Sequence, residues 1–292
     1  MLDGVDSVRF VEKLAAQQPE KHDADYTRDG ILFCGTCGEP KQAWIDWFPD
    51  ADGNATKNLV RIMCKCDMKR EQEEKDRKAR SDFEERMRSV QLALHTMRDD
   101  VRWTFDMDSE PGSPIAKTCR RYTDEWEEML KENTGILFYG TKGAGKTFYA
   151  SCIYNELKSR RVLVGFTSAP NLMNILGKWD KTEIFDALAR VQLLVLDDLG
   201  AERDNSYSAE LMYSAIDARY KTGKPTIITT NLDFEEMKSE KDLWRSRIYD
   251  RVEEMCPIPL KMQAESRRGA IADVRKQKAR ELLDWTRKGE TG

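Results

Sequence analysis

The stretch GILFYGTKGAGKT, residues 135–147, decides the fold. Its first half is apolar on successive residues, the pattern of a strand covered on both faces. At Gly140 the chain turns to small and polar residues, and from Lys146 to about Ser159 a helix follows. Strand, glycine-rich turn and helix in that order, with the G-x-x-x-x-G-K-T spacing complete, make a loop that grips phosphate. The glycines let the backbone curl tightly, so that amide protons converge at a helix N-terminus that already favours negative charge. The residues so placed are Gly140, Thr141, Lys142, Gly143, Ala144, Gly145, Lys146, Thr147 and Phe148. Lys146 is expected to reach the β- and γ-phosphates of a nucleotide, and Thr147 to offer its hydroxyl to Mg²⁺. A glycine-rich turn without a ligand is the bland alternative, and it leaves the Lys-Thr ending unexplained.

Working outward, apolar strand segments are expected at 135–139, 161–167, 191–196, 226–230 and 258–260, mostly separated by helix-sized stretches. Such alternation predicts an α/β fold, a parallel sheet covered by helices. In that architecture ligands bind outside the carboxyl ends of the strands. The segment VQLLVLDDLG, 191–200, ends a buried-type strand in Asp197 and Asp198, two acids that are costly there without a cation. Asp197 is expected to hold Mg²⁺ through water and Asp198 to orient an attacking water. A pair of acids capping the next helix is the alternative. The segment PTIITTN closes on Asn231, read as a contact to the γ-phosphate or the lytic water, with a simple turn former as its alternative.

Composition narrows the class. The 292 residues carry 48 basic and 52 acidic side chains, a net charge of −4, with 40% hydrophobic residues. A mean hydropathy of −0.69 and the absence of a long apolar run argue against a membrane span. The acidic start, MLDGVDSVRF, lacks a secretory pattern, so a cytoplasmic location is expected. Seven cysteines, an odd number, suit thiols or metal ligands in a reducing compartment better than a disulfide framework.

Four regions follow from the compositional shifts: 1–66, 67–100, 101–268 and 269–292. Near the start, Val8, Val11, Leu14 and Ala15 at helical spacing read as a short helix. From 31 to 66 aromatic residues, turn formers and cysteines dominate, with Asp52 and Gly53 as a hairpin tip. Cys34 and Cys37 in FCGTCGE, with Cys64 and Cys66 in MCKCD, offer four thiolates suited to tetrahedral Zn²⁺. A reduced, unligated set is the alternative. Cys119, Cys152 and Cys256 stand alone and read as buried small hydrophobes. Trp44, Trp47 and Phe48 form either a docking surface or the module's miniature core. The blocks of Lys, Arg, Asp and Glu from 67 to 88 read as a solvated connecting helix, after which Trp103 and Phe105 can pin the chain onto the larger domain. In the segment between the second strand and Asp197, Lys178, Trp179 and Lys181 combine charge with stacking suited to single-stranded DNA. A plain helix burying Leu172, Ile175 and Leu176 is the alternative. The tail 269–292 is basic but mixed.

Taken together, the phosphate loop, the Asp197-Asp198 strand, IITTNL, RSRIYDRVEE and the later ESRR resemble an AAA+ ATPase of the DnaC/DnaI helicase-loader type, a family closely related to the IstB transposition helpers. The resemblance covers roughly 101–268. It implies a five-stranded parallel sheet, ATP as the nucleotide, and a site completed by a neighbouring subunit in a homo-oligomer. It also implies a first-sensor role for Asn231 and an arginine-finger role for Arg251, with Arg245 and Arg247 as nearby competitors. Arg267, with Arg268 beside it, matches a C-terminal arginine near the nucleotide. An arginine supplied in trans stabilises the charge that spreads over a transferring phosphoryl group. One departure is Asp198, where many AAA+ proteins carry Glu. The zinc region is similar to the part of DnaI-type loaders that binds a replicative DnaB-type helicase. The function implied is ATP-dependent loading of a ring helicase onto single-stranded DNA in replication. The alternatives are a transposition helper, a nucleotide-sensing adaptor that needs no hydrolysis, and a small-molecule P-loop kinase, for which the sequence offers no acceptor pocket or lid signature.

Overall fold

A computed structural model describes residues 22, 24–47, 56–96, 101–201 and 206–263. The chain divides into two compact units, Met1–Asp82 and Phe83–Gly292.

In the first unit Asp29 and Gly30 hold φ of 51° and 76°, the two-residue turn whose twist matches that of the strands it joins. It links β1 (Tyr26–Arg28) to β2 (Ile31–Phe33). A second antiparallel pair, β3 (Gln42–Trp47) and β4 (Thr56–Arg61), sets Trp47 opposite Thr56. The tip expected at Asp52 and Gly53 lies outside the described residues, as do the helix expected around Val8 to Ala15 and Phe48. Leu32 and Val60 are the buried aliphatic side chains here among the described residues. Lys41 is also buried, with Nζ 2.9 Å from Asp25 Oδ2 and 3.3 Å from Asp67 Oδ2. Burial opposes its charge, yet the two carboxylates together raise its pKa. The His22 amide, helped by Lys41, holds the Asp25 carboxyl well below the usual carboxylate range.

Helix α1 (Lys65–Ala93) spans the division. Up to Asp82 it is the solvated helix its charges predict, with exposed pairs such as Lys75–Glu71 at 2.6 Å, each worth about 0.3–0.5 kcal/mol. Beyond that point the expectation of a linker over 67–100 is corrected. Phe83, Met87, Val90 and Leu94 recur at helical spacing and are buried in the core of the second unit. The charges crowding the remaining positions hid that apolar stripe.

The second unit continues as α2 (Pro114–Asp124), α3 (Trp126–Lys131), β5 (Ile136–Gly140), α4 (Lys146–Ser159), β6 (Val164–Ser168), α5 (Ala169–Leu176), α6 (Lys181–Arg190) and β7 (Leu193–Leu199). It closes with α7 (Ser206–Tyr220), β8 (Thr226–Thr230), α8 (Phe234–Lys238), α9 (Leu243–Met255) and β9 (Ile258–Met262). The five strands form one parallel sheet in the order β6-β7-β8-β5-β9, as the alternation predicts. Ile136, Phe138, Val195, Ile227 and Ile228 have no exposed surface, and neither do Ile153 and Leu157 of α4. β6 starts later than expected because Arg161, at φ 62°, still belongs to the turn that reverses the chain after α4. β7 runs further than expected, through both acids to Leu199.

Asn155 Nδ2 donates to the carbonyls of Val101 and Trp103 at 2.6 and 2.7 Å, while Trp103 packs against Phe148 and Phe105 is buried. The aromatic pair therefore pins the chain as its sequence suggests. Arg219, 1% exposed, donates to Thr226 Oγ1 and to the carbonyls of Leu188, Val191, Gln192 and Pro225. Burial lowers its pKa to about 9, so it stays charged at neutral pH and ties the end of α6 to the start of β8. No helix among the described residues is long and apolar enough to cross a membrane.

Candidate nucleotide site

Because β5 lies between β8 and β9, and β8 separates it from β7, the carboxyl ends of three strands that carry polar residues are neighbours. Gly140, Gly143 and Gly145 hold φ of 117°, 85° and 99°, a region that side-chain-bearing residues rarely occupy. At Gly140 a Cβ would also collide with the Met262 carbonyl oxygen at the end of β9. The Thr141 N–H donates to that same carbonyl at 3.1 Å. That amide is therefore bonded to the end of β9 rather than left for a ligand. Thr141 and Lys142 are exposed at the mouth, Ala144 is buried beneath them, and Phe148 packs against Trp103 and Tyr149.

Lys146, 5% exposed, donates from Nζ to the carbonyls of Gly140 and Thr141 and to Asn231 Oδ1, each at 2.8 Å. Thr147 Oγ1 donates to both carboxylate oxygens of Asp197, at 2.9 and 3.1 Å. A hydroxyl touching a buried carboxylate is an all-oxygen donor set, which fits a hard cation such as Mg²⁺. Asp198, half-buried, holds φ of 54° at an irregularity in the pairing of β7 with β8. Lys146, Thr147, Asp197 and Asn231 are thus brought together, although up to 85 residues separate them in the chain.

Thr229 was missed by sequence reasoning. It is fully buried, donates to Asp197 Oδ1 at 2.6 Å and accepts the Asp198 N–H at 2.9 Å. The signal available was a threonine pair interrupting the apolar strand just before Asn231.

Arg251 stands apart from this network. Its guanidinium lies 4.0 Å from the Tyr220 ring centroid and pairs with Asp217 at 3.4 Å and Glu254 at 3.6 Å. Arg247 lies over Trp244. Arg267 and Arg268 fall outside the described residues. Leu172, Ile175 and Leu176 are buried as expected for a core helix, whereas Lys178 and Lys181 are exposed and Trp179 is 61% exposed, edge-on to His95.

In the first unit the sulfurs of Cys34, Cys37, Cys64 and Cys66 lie within 4.8 Å of one another. The amides of Cys37 and Thr36 hold the Cys34 thiol down to about 7, burial pushes Cys64 up to about 12, and the Cys37 side chain lifts Cys66 to about 11. Four convergent sulfurs in one small volume fit tetrahedral zinc. The Gly35 N–H donates to Asp25 Oδ1 at 3.0 Å, and the Asp67 N–H reaches Cys64 Sγ at 3.5 Å. Trp44, 54% exposed, is not part of a core. Cys119, Cys152 and Cys256 are buried as expected, and burial raises all three thiols.

Comparison with known proteins gives this geometry a family. The chain is 27% identical to the replicative helicase loader DnaC of Escherichia coli over 140 residues, 46% of this chain and 55% of that protein. It is 29% identical to the putative ATP-binding protein of insertion sequence IS5376 from Geobacillus stearothermophilus over 160 residues, 52% of this chain and 62% of that protein. Each match thus spans little more than half the relative's length. A crystal structure of DnaI is 23% identical and covers 58% of this chain and 96% of its own, with a TM-score of 0.49. The family model of the IstB-like ATP binding protein matches residues 43–271, a span that holds the loop, both acids, Asn231 and Arg251, and the chain therefore belongs to that family.

Proposed function

We propose that this protein is an ATP-dependent loader that places a ring helicase of the DnaB type on single-stranded DNA during replication. The carrying observation is the convergence of Lys146, Thr147, Asp197 and Asn231 at one sheet edge, with Arg251 held away from it on α9. Lys146 binds the β- and γ-phosphates, Asn231 contacts the γ-phosphate, and Asp198 orients water. Thr147 and Asp197 are the ligands offered to Mg²⁺, which supplies charge neutralisation at the phosphates. Arg251 acts in trans, on ATP bound by the next copy in a homo-oligomer, and Arg267 is the C-terminal arginine near the nucleotide. The cysteine set holds Zn²⁺ and shapes an N-terminal docking module, with exposed Trp44 on its surface. Lys178, Trp179 and Lys181 contact DNA.

The test is hydrolysis per subunit against protein concentration, with and without single-stranded DNA. The expected rate rises with concentration, and Arg251→Ala lowers it by about 10³-fold or more. A flat profile that survives the substitution refutes assembly-dependent hydrolysis. The family and the similarity to the IS5376 protein favour a second reading, a transposition helper. Affinity capture from the host separates the two readings by recovering either a helicase or a transposase.

A further inference from the structure

Opposite a single residue of β8, the strand β7 places two. Leu196 pairs with Ile228 and Leu199 with Thr230, so Asp197 and Asp198 share Thr229 as their neighbour. The Thr229 hydroxyl uses both of its capacities there, donating to Asp197 Oδ1 at 2.6 Å and accepting the Asp198 N–H at 2.9 Å. The next threonine shows the contrast. Thr230 Oγ1 donates to the Leu199 carbonyl at 2.7 Å, a sheet-stitching bond that touches neither carboxylate. Asp198 holds φ of 54°, a conformation that a β-strand residue adopts only where its surroundings enforce it. The bond to its own amide is such a constraint. Two residues further on, Asn231, which directly follows β8, accepts from Lys146, so the end of this segment meets the lysine and the acid halves of the site at once.

We propose that Thr229 is a positioning residue that sets the Asp197 carboxylate for Mg²⁺ and fixes the backbone at Asp198. This rests on the reading of the loop as a Mg²⁺–ATP site. Valine fills the same volume but can neither donate nor accept, whereas serine keeps both capacities.

The test uses the full chain and a fluorescent ATP analogue, titrating Mg²⁺ against bound nucleotide and against hydrolysis, with melting followed in parallel. Thr229→Val is expected to raise the half-saturating Mg²⁺ concentration about tenfold, as loss of one hydrogen bond to a charged group implies. Nucleotide binding without Mg²⁺ should stay unchanged, and Thr229→Ser should restore the Mg²⁺ dependence. A half-saturation in the valine variant within about twofold of the parent overturns the proposal. So does a serine variant that melts and titrates like the valine one, because the role is then packing. A parent protein with no Mg²⁺-dependent nucleotide binding sinks the site reading itself, and the role of Thr229 with it.

Discussion

The larger unit buries Ile136, Phe138, Ile153, Val195 and Ile228 between a parallel sheet and its helices, whereas the first unit buries Leu32 and Val60, two of its four clustered thiols, and a lysine between two acids. The difference teaches where each fold draws its stability. A five-stranded sheet with helices removes enough apolar surface from water to stand without a ligand. Two short hairpins do not, because the fraction of surface a chain buries falls with its size. A satisfied charge cluster and four sulfurs able to share a metal are what the small unit offers in place of apolar area.

The largest expected effect that breaks this comparison is metal removal. Chelation is expected to unfold the first unit, since structural zinc contributes about 10–16 kcal/mol in small domains. The larger unit should keep its melting transition and its nucleotide affinity, as calorimetry and nucleotide titration would register. If the chelated protein melts like the parent, the four thiols do not hold the module together. The reciprocal case is Phe138→Ala, expected to cost the larger unit about 3–5 kcal/mol while zinc content stays at parity by metal analysis. Loss of metal in that variant would mean that the two interiors are not independent. The smallest effect on stability belongs to Trp44→Ala, expected to change melting by less than about 0.5 kcal/mol because the side chain is exposed. The same variant should weaken helicase binding by at least about tenfold if the ring is a docking anchor, measured by titration of the purified partner. Unchanged binding removes Trp44 from the docking surface.

Much of the larger unit was legible from local pattern. Its strands are continuous apolar runs, and the phosphate loop has a spacing that few alternatives imitate. Lys146, Thr147 and Asp197 are therefore readable from spacing and strand pattern alone. Other features stayed hidden for physical reasons. The stripe Phe83, Met87, Val90 and Leu94 was outvoted by charges on the same helix, since a composition window averages over faces that a helix separates. The turn at Asp29 and Gly30 lies in a short hairpin whose strands are too brief to show alternation. Thr229 looks in sequence like any strand threonine, because nothing local says which neighbouring strand its hydroxyl will meet.

The sequence alone carried the alternation of strands and helices in the larger unit, a loop with phosphate-binding spacing and four cysteines that can share a metal, because turn geometry, apolar periodicity and ligand chemistry are properties of short segments. The tertiary structure alone decided that Asn231 meets Lys146, that two acids face one threonine, and that Arg251 rests on Tyr220 away from its own loop. Those contacts follow from strand order and register, which pair residues far apart in the chain and leave no local trace.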